Sequence, residues 1–225
     1  MKVSVLFSGG KDSSLAALLL GQFFEVELVT CNFGMLPTWH LARSVANELG
    51  FPHGVVQLER KILQDAMRLV TKEGFPKNGI KLIHCRALEH VASFSEGRAI
   101  ADGTRRDDRT PMLSLSEVMS LESRYNIHYI RPLGGYGRKT INVLANRYFE
   151  IEEKESDLMR GADYEFELRE EIKKRYGNDE VQRIFPRHHT HSRVIKMRPG
   201  VQRGVAPFGE EESQDKASLF VNFFP

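Results

Sequence analysis

Cysteine is scarce in this sequence, tryptophan occurs once, and long apolar runs are missing. Two cysteines in 225 residues, Cys31 and Cys85, exclude a disulfide framework and a four-thiolate zinc ribbon supplied by one chain, and they fit a reducing cytoplasm. No apolar run approaches the ~20 residues that cross a bilayer, so no membrane partner is expected. The N-terminal MKVSVLFSGG has one lysine and runs straight into glycine, which reads as a first strand and not as a signal peptide. Internal repeats and low-complexity segments are lacking. So is a dominant charge: 32 Lys and Arg stand against 30 Asp and Glu, a net +2 too mild to name a partner. What remains, 41% hydrophobic and 28% charged residues, suits a soluble globular protein with a real core, in one domain with a modest appendage.

Up to about residue 150, short β-rich apolar runs alternate with helical periodicities. Strands are expected at 2–7, 24–32, 55–58, 99–101 and 127–130. Between them lie a helix over 12–22 and one capped by Thr38, with Leu41, Val45 and Leu49 four apart and Gly50 past its end. The next bears Ile62, Leu63, Ala66, Met67 and Val70 and stops at Gly74; another carries Leu82, Ile83, Ala87, Leu88 and Val91. The capping box Ser114-x-x-Glu117 opens a fifth, and Ile141, Val143 and Leu144 mark a sixth. This alternation predicts an α/β fold, a doubly wound parallel sheet of Rossmann-like type with about five strands. In such sheets ligands sit outside the carboxyl ends of the strands. The glycines and charges gather there: SGGKDSS, Cys31-Asn32-Phe33-Gly34, 102–108 and 131–139.

From about residue 151 the character changes. An acidic stretch at 152–157 precedes a charged helix at 163–176 that Gly177 breaks, then a basic segment at 183–203. The reading is a 1–150 core with a basic, mostly helical 151–225 extension packed on it. The chain closes on Leu219-Phe220-Val221-Asn222-Phe223-Phe224, apolar enough to pack on its own core or on a second copy in a homodimer; the sequence leaves both open.

The stretch LFSGGKDSSLAAL places two glycines, a lysine, an aspartate and two serines between a strand and a helix. Backbone N–H groups of such a turn converge on an anion, and the helix N-terminus adds partial positive charge. Gly9 and Gly10 allow close approach. Lys11 can neutralise phosphate, Ser8, Ser13 and Ser14 supply hydroxyls, and Asp12, repelled by phosphate, is suited to hold Mg²⁺ against it. A Walker loop needs G-x-x-x-x-G-K-[ST], and Lys11 is followed by Asp12; a Rossmann G-x-G-x-x-G is also missing.

Ser8-Gly9-Gly10-Lys11-Asp12-Ser13 resembles the pyrophosphate-binding loop of the N-type ATP pyrophosphatases, the PP-loop family of adenine nucleotide alpha hydrolase-like fold. Ile100-Ala101-Asp102-Gly103-Thr104-Arg105-Arg106-Asp107-Asp108 is similar to the "IAxGHxxDD" segment of its tRNA thiolation and lysidine synthetase branch, and Ile130-Arg131-Pro132-Leu133 with Arg138-Lys139 is similar to that branch's "RPL…K/R-x-E-I" segment. Thr104 stands for the usual His and Thr140 for a common Glu, and the branch's Cys-x-x-Cys pairs are absent.

The resemblance implies cleavage of ATP between the α and β phosphates, with AMP placed on a substrate oxygen and then displaced by a nucleophile. It implies ATP contacts at residues 8–14, Asn32, Phe33, Gly103, Thr104 and Arg131, and Mg²⁺ held by Asp12, Asp107 and Asp108. Lys139 is placed to reach the leaving pyrophosphate. Cys31 and Cys85 are candidate sulfur carriers, with His84 as a neighbour that can lower the Cys85 pKa. The leading substrate is a tRNA base, contacted through Arg187 and Arg193, with a sulfur or ammonia donor protein as partner. Two alternatives stand beside it: an ammonia-dependent amide ligase resembling asparagine or NAD synthetase, and a non-catalytic adenine-nucleotide sensor.

Overall fold

Alternate residues of the first strand enter two different apolar layers: Val3 and Val5 one, Leu6 the other. This is the signature of a sheet covered on both faces. The computed structural model describes residues 1–108, 112–155, 161–185 and 190–200. Strands β1 (Lys2–Leu6), β2 (Glu25–Asn32), β3 (His53–Gln57), β4 (Ala99–Ala101) and β5 (His128–Ile130) form one five-stranded parallel sheet of order β3-β2-β1-β4-β5. Helices α1 (Lys11–Leu20), α2 (Trp39–Leu49) and α6 (Arg138–Tyr148) supply apolar residues to one layer, and α3 (Arg60–Glu73), α4 (Lys77–Ala92) and α5 (Leu115–Tyr125) to the other. No described helix is long and apolar enough to cross a membrane.

The local stop signals work as the sequence predicts. Gly50 and Gly74 end α2 and α3 in the left-handed region, at φ +77° and +68°, where a side chain would be strained. Ser114 and Glu117 form a full capping box on α5. Thr38 does not cap as expected. It has helical backbone angles and no side-chain bond to the helix, so α2 starts from a turn.

After α6 the chain enters β6 (Phe149–Glu155), α7 (Tyr164–Tyr176), α8 (Asn178–Ile184) and β7 (Thr190–Met197). The two helices fit the helical extension that the sequence predicts; the extension also contains an antiparallel pair, β6–β7. Its strands are charged and pair across the sheet, Arg193 to Glu152 at 2.6 Å and Lys196 to Glu150 at 3.3 Å. Phe149, Val194 and Met197 are buried in the α1–α2–α6 layer, while Leu168, Ile172, Val181 and Ile184 are buried in the opposite one. The extension therefore closes both faces of the sheet. Leu219 to Phe224 lie outside the described residues.

Candidate active site

Strand order reverses between β1 and β4, and the loops that leave these strands meet at the carboxyl edge. The first is the glycine turn. Gly9 has φ +75°, and a Cβ there would lie 3.3 Å from the Ala42 Cα. Ser13 Oγ donates to the Gly10 carbonyl at 3.1 Å, and Ser8 Oγ accepts the Gly10 N–H at 3.4 Å, so the turn is preset. Ser14 is fully buried, and its hydroxyl has no partner among the described residues.

Asp12 lies in the first turn of α1. Its Oδ2 is 3.2 Å from Arg105 Nε and its Oδ1 is 3.8 Å from Lys11 Nζ, yet Oδ1 is buried without a hydrogen bond. Burial pushes this carboxyl above the usual range against the pull of Lys11, Arg105 and Arg138. An oxygen left in this state suits a hard cation. The other two expected metal ligands are differently placed. Asp108 accepts from the Arg105 backbone at 2.8 Å and its guanidinium at 2.6 Å. Asp107 accepts from the Arg138 N–H at 2.9 and 3.1 Å, which caps α6. Among the described residues no three carboxylate, imidazole or thiol groups form a ready metal cage.

Gly103 is required for packing. A Cβ there would meet Ser13 N at 2.8 Å and the Asp12 carbonyl carbon at 2.9 Å, so the end of β4 abuts the start of α1. The preceding Asp102 is the centre of a network the sequence did not reveal. It is 1% exposed and accepts from His84 Nε2 at 2.9 Å, Tyr129 Oη at 2.6 Å, and Thr104 Oγ1 and N at 2.6 and 2.8 Å. Burial alone would raise its pKa, but the His84, Thr104 and Tyr129 hydrogen bonds outweigh it and hold the carboxyl at about 2. His84 Nδ1 lies 3.3 Å from Tyr164 Oη, so a chain of polar groups runs from α7 to β5.

The cysteines do not have the surroundings of reactive thiolates. Cys31 is buried among the α3–α4 core residues and its pKa is pushed up to about 12 by burial. Cys85 lines a cavity of about 240 Å³ between α4 and α5; burial and then Glu117 raise its pKa. His84 turns to Asp102 instead of activating Cys85. Phe33 has its ring fully buried in the α3–α4–α5 core. Asn32 Oδ1 accepts the Gly34 N–H at 3.1 Å and shapes the loop after β2.

The extension grips both loops. Glu167 of α7 accepts from Phe33 N at 2.7 Å, Met35 N at 2.9 Å and Leu36 N at 3.3 Å. On β7, Val194 N donates to the Gly9 carbonyl at 3.1 Å and Ser192 Oγ accepts the Lys11 N–H at 3.3 Å. Glu153 on β6 stands 3.8 Å from Lys11 Nζ. The cavity beside Ser8 is about 20 Å³, room for one water. Lys139 is exposed at the start of α6, and it is its neighbour Arg138 whose charge acts on Asp12. Arg131 is half-buried, its carbonyl bonded to Gly134 N. Arg193 is paired with Glu152, and Arg187 lies outside the described residues.

Comparison with known proteins places this arrangement. An uncharacterised protein of Methanocaldococcus jannaschii is 44% identical over 199 residues, covering 88% of this chain and 97% of its own length. A crystal structure from the same organism, described as a predicted subunit of tRNA methyltransferase, matches with a TM-score of 0.80 and 42% identity, covering 89% of this chain and all of that one. Residues 1–196, which include every loop described above, match the family of unknown function DUF7411, and the chain belongs to that family.

Proposed function

We propose that this protein binds ATP at the glycine turn, cleaves it between the α and β phosphates and adenylates a tRNA base, which a sulfur or nitrogen nucleophile then substitutes. The observation that carries this reading is the Lys11–Asp12 pair at the start of α1, directly behind the bent Gly9–Gly10 turn, with Asp12 Oδ1 buried and unbonded. A lysine there offsets phosphate charge, and the α1 N–H groups face the same anion. Asp12, with Asp108 behind Arg105, would hold Mg²⁺, which supplies charge neutralisation on the phosphates. Arg105, with Oδ2 of Asp12 at 3.2 Å, sets a positive charge on this side of the turn.

His84 Nε2 bonds Asp102 and its Nδ1 faces Tyr164 Oη, so both ring nitrogens are engaged and this chain of polar groups braces the end of β4 beside the turn. Neither cysteine is assigned the sulfur, since burial disfavours both thiolates; a donor protein or free nucleophile supplies it. The tRNA substrate is supported by the description of the M. jannaschii relative as a predicted subunit of tRNA methyltransferase. Methyl transfer itself is not carried over, because it does not use α–β cleavage.

The test is product analysis. ATP and Mg²⁺ are incubated with the protein, with and without total tRNA, and AMP plus pyrophosphate are resolved from ADP plus phosphate. AMP and pyrophosphate that rise with tRNA and vanish in Asp12→Ala are expected. Products independent of tRNA would move the substrate to a small metabolite, as in an amide ligase. ADP and phosphate, or nucleotide binding without turnover under any addition, would overturn the reading.

A further inference from the structure

We propose that the RNA substrate is held at the carboxyl ends of β4 and β5, where an unpaired segment stacks on Tyr136 between Arg106, Arg138 and Lys139, and not on the basic C-terminal strand. This rests on the reading of tRNA as substrate and adds where the RNA binds and in what form.

The cations of β6, β7 and α8 are occupied. Arg193 pairs with Glu152, Lys196 with Glu150, and Arg183 with Glu180 at 2.6 Å. Each ion pair cancels charge that a phosphate would otherwise meet. The loops after β4 and β5 differ. Arg106, Arg138 and Lys139 are exposed and make no ion pair among the described residues. The nearby Asp107 directs its carboxylate to the Arg138 N–H. Arg138 and Lys139 stand in the first turn of α6, which carries no acidic residue of its own and is capped by the Asp107 carboxylate.

The patch has an aromatic surface and is held rigid. Tyr136 is 41% exposed, between Gly135 and Gly137. Its carbonyl accepts the Arg106 N–H at 3.0 Å, its own N–H donates to Leu133 O at 2.9 Å, and Arg106 Nη1 donates to Gly135 O at 3.2 Å. The two loops thus form one preorganised unit. An exposed ring among unpaired cations is the chemistry that binds single-stranded nucleic acid, bases on the ring and phosphates on the cations. Duplex RNA presents no free base face to such a ring. The patch borders the glycine turn, since Arg105, next to Arg106 in the chain, lies 3.2 Å from Asp12 Oδ2, so a splayed base held there lies beside the adenylating site.

The experiment measures binding of full-length protein to fluorescent RNAs by anisotropy at several salt concentrations. The probes are an unstructured oligouridine, a duplex of equal length and total tRNA. Tyr136→Ala is expected to weaken oligouridine and tRNA binding ~5- to 100-fold with little change for the duplex. Arg106→Ser with Lys139→Ser should lower the salt slope on oligouridine by about 1.4. Arg193→Ser should change binding less than either. Tyr136, Arg106 and Lys139 are exposed and Arg193 is half-buried, and thermal melting checks that each variant is folded. Arg193→Ser as the most damaging change, or unaltered binding in Tyr136→Ala, would overturn this surface and leave the tRNA reading standing. No binding of any RNA by the unaltered protein would overturn both.

Discussion

The backbone N–H of Lys11 donates to the Ser192 hydroxyl at 3.3 Å, joining residues 181 apart in the chain. That N–H belongs to the first turn of α1, where an anion would be bound, and Ser192 Oγ takes the place of an acceptor. With Glu153 near Lys11 Nζ, the β6–β7 pair sits on the glycine turn as a cover.

ATP bound at the turn as proposed would shift β7. ATP with Mg²⁺ is expected to speed hydrogen exchange at the Val194 amide, which bonds Gly9. Ser192→Gly should tighten ATP binding ~3- to 10-fold, on the scale of one hydrogen bond released. Calorimetric titration reads this directly. Weaker binding would show Ser192 to be a phosphate contact instead of a cover.

Asp102 links stability to pH. Its folded pKa of about 2 lies below the ordinary aspartate value of about 3.9, so the ionised carboxylate stabilises the fold. That stability is present above about pH 4 and is lost as pH falls through 2. The shift amounts to about 2 kcal/mol. Thermal melts between pH 2 and 6 should fall steeply for the unaltered protein and less so for Asp102→Asn, which starts from a lower melting temperature at neutral pH.

Glu167 holds the loop after β2 by three backbone bonds. Glu167→Ala leaves buried N–H groups without partners and should cost at least about 2 kcal/mol in urea unfolding. Glu167→Gln keeps one acceptor and recovers part of that loss. Equal stability of both variants with the parent would show that water replaces the carboxylate.

Thiol reactivity separates the cysteines. Burial holds Cys31 as a thiol with a pKa of about 12, whereas half-buried Cys85 opens onto the groove between α4 and α5. Iodoacetamide at pH 8 should label Cys85 first, and Cys31 only on unfolding. Rapid labelling of Cys31 in the native protein would restore it as a candidate sulfur carrier.

Several of these relationships were open to sequence reasoning and several were not. The parallel sheet and its loops follow from local alternation of apolar runs and helical stripes. Ser114, Gly50 and Gly74 were readable because caps depend on adjacent backbone geometry. His84 left a trace: it falls on the apolar stripe of Ile80, Leu88 and Val91, where an imidazole needs a buried partner. Glu167 left none, because a carboxylate on a charged helix looks solvated until another loop covers it.

The sequence by itself determined the glycine turn, the five-stranded parallel order of elements and the edge where chemistry collects, because these depend on periodicity and on residues close in the chain. Only the tertiary structure decided that β6 and β7 pair, that Ser192 and Glu153 meet Lys11, that Asp102 gathers His84 and Tyr129, and that Phe33 and Cys31 belong to the core. Those contacts join distant segments. A charged side chain commits to a partner only when folding removes the water that would otherwise satisfy it.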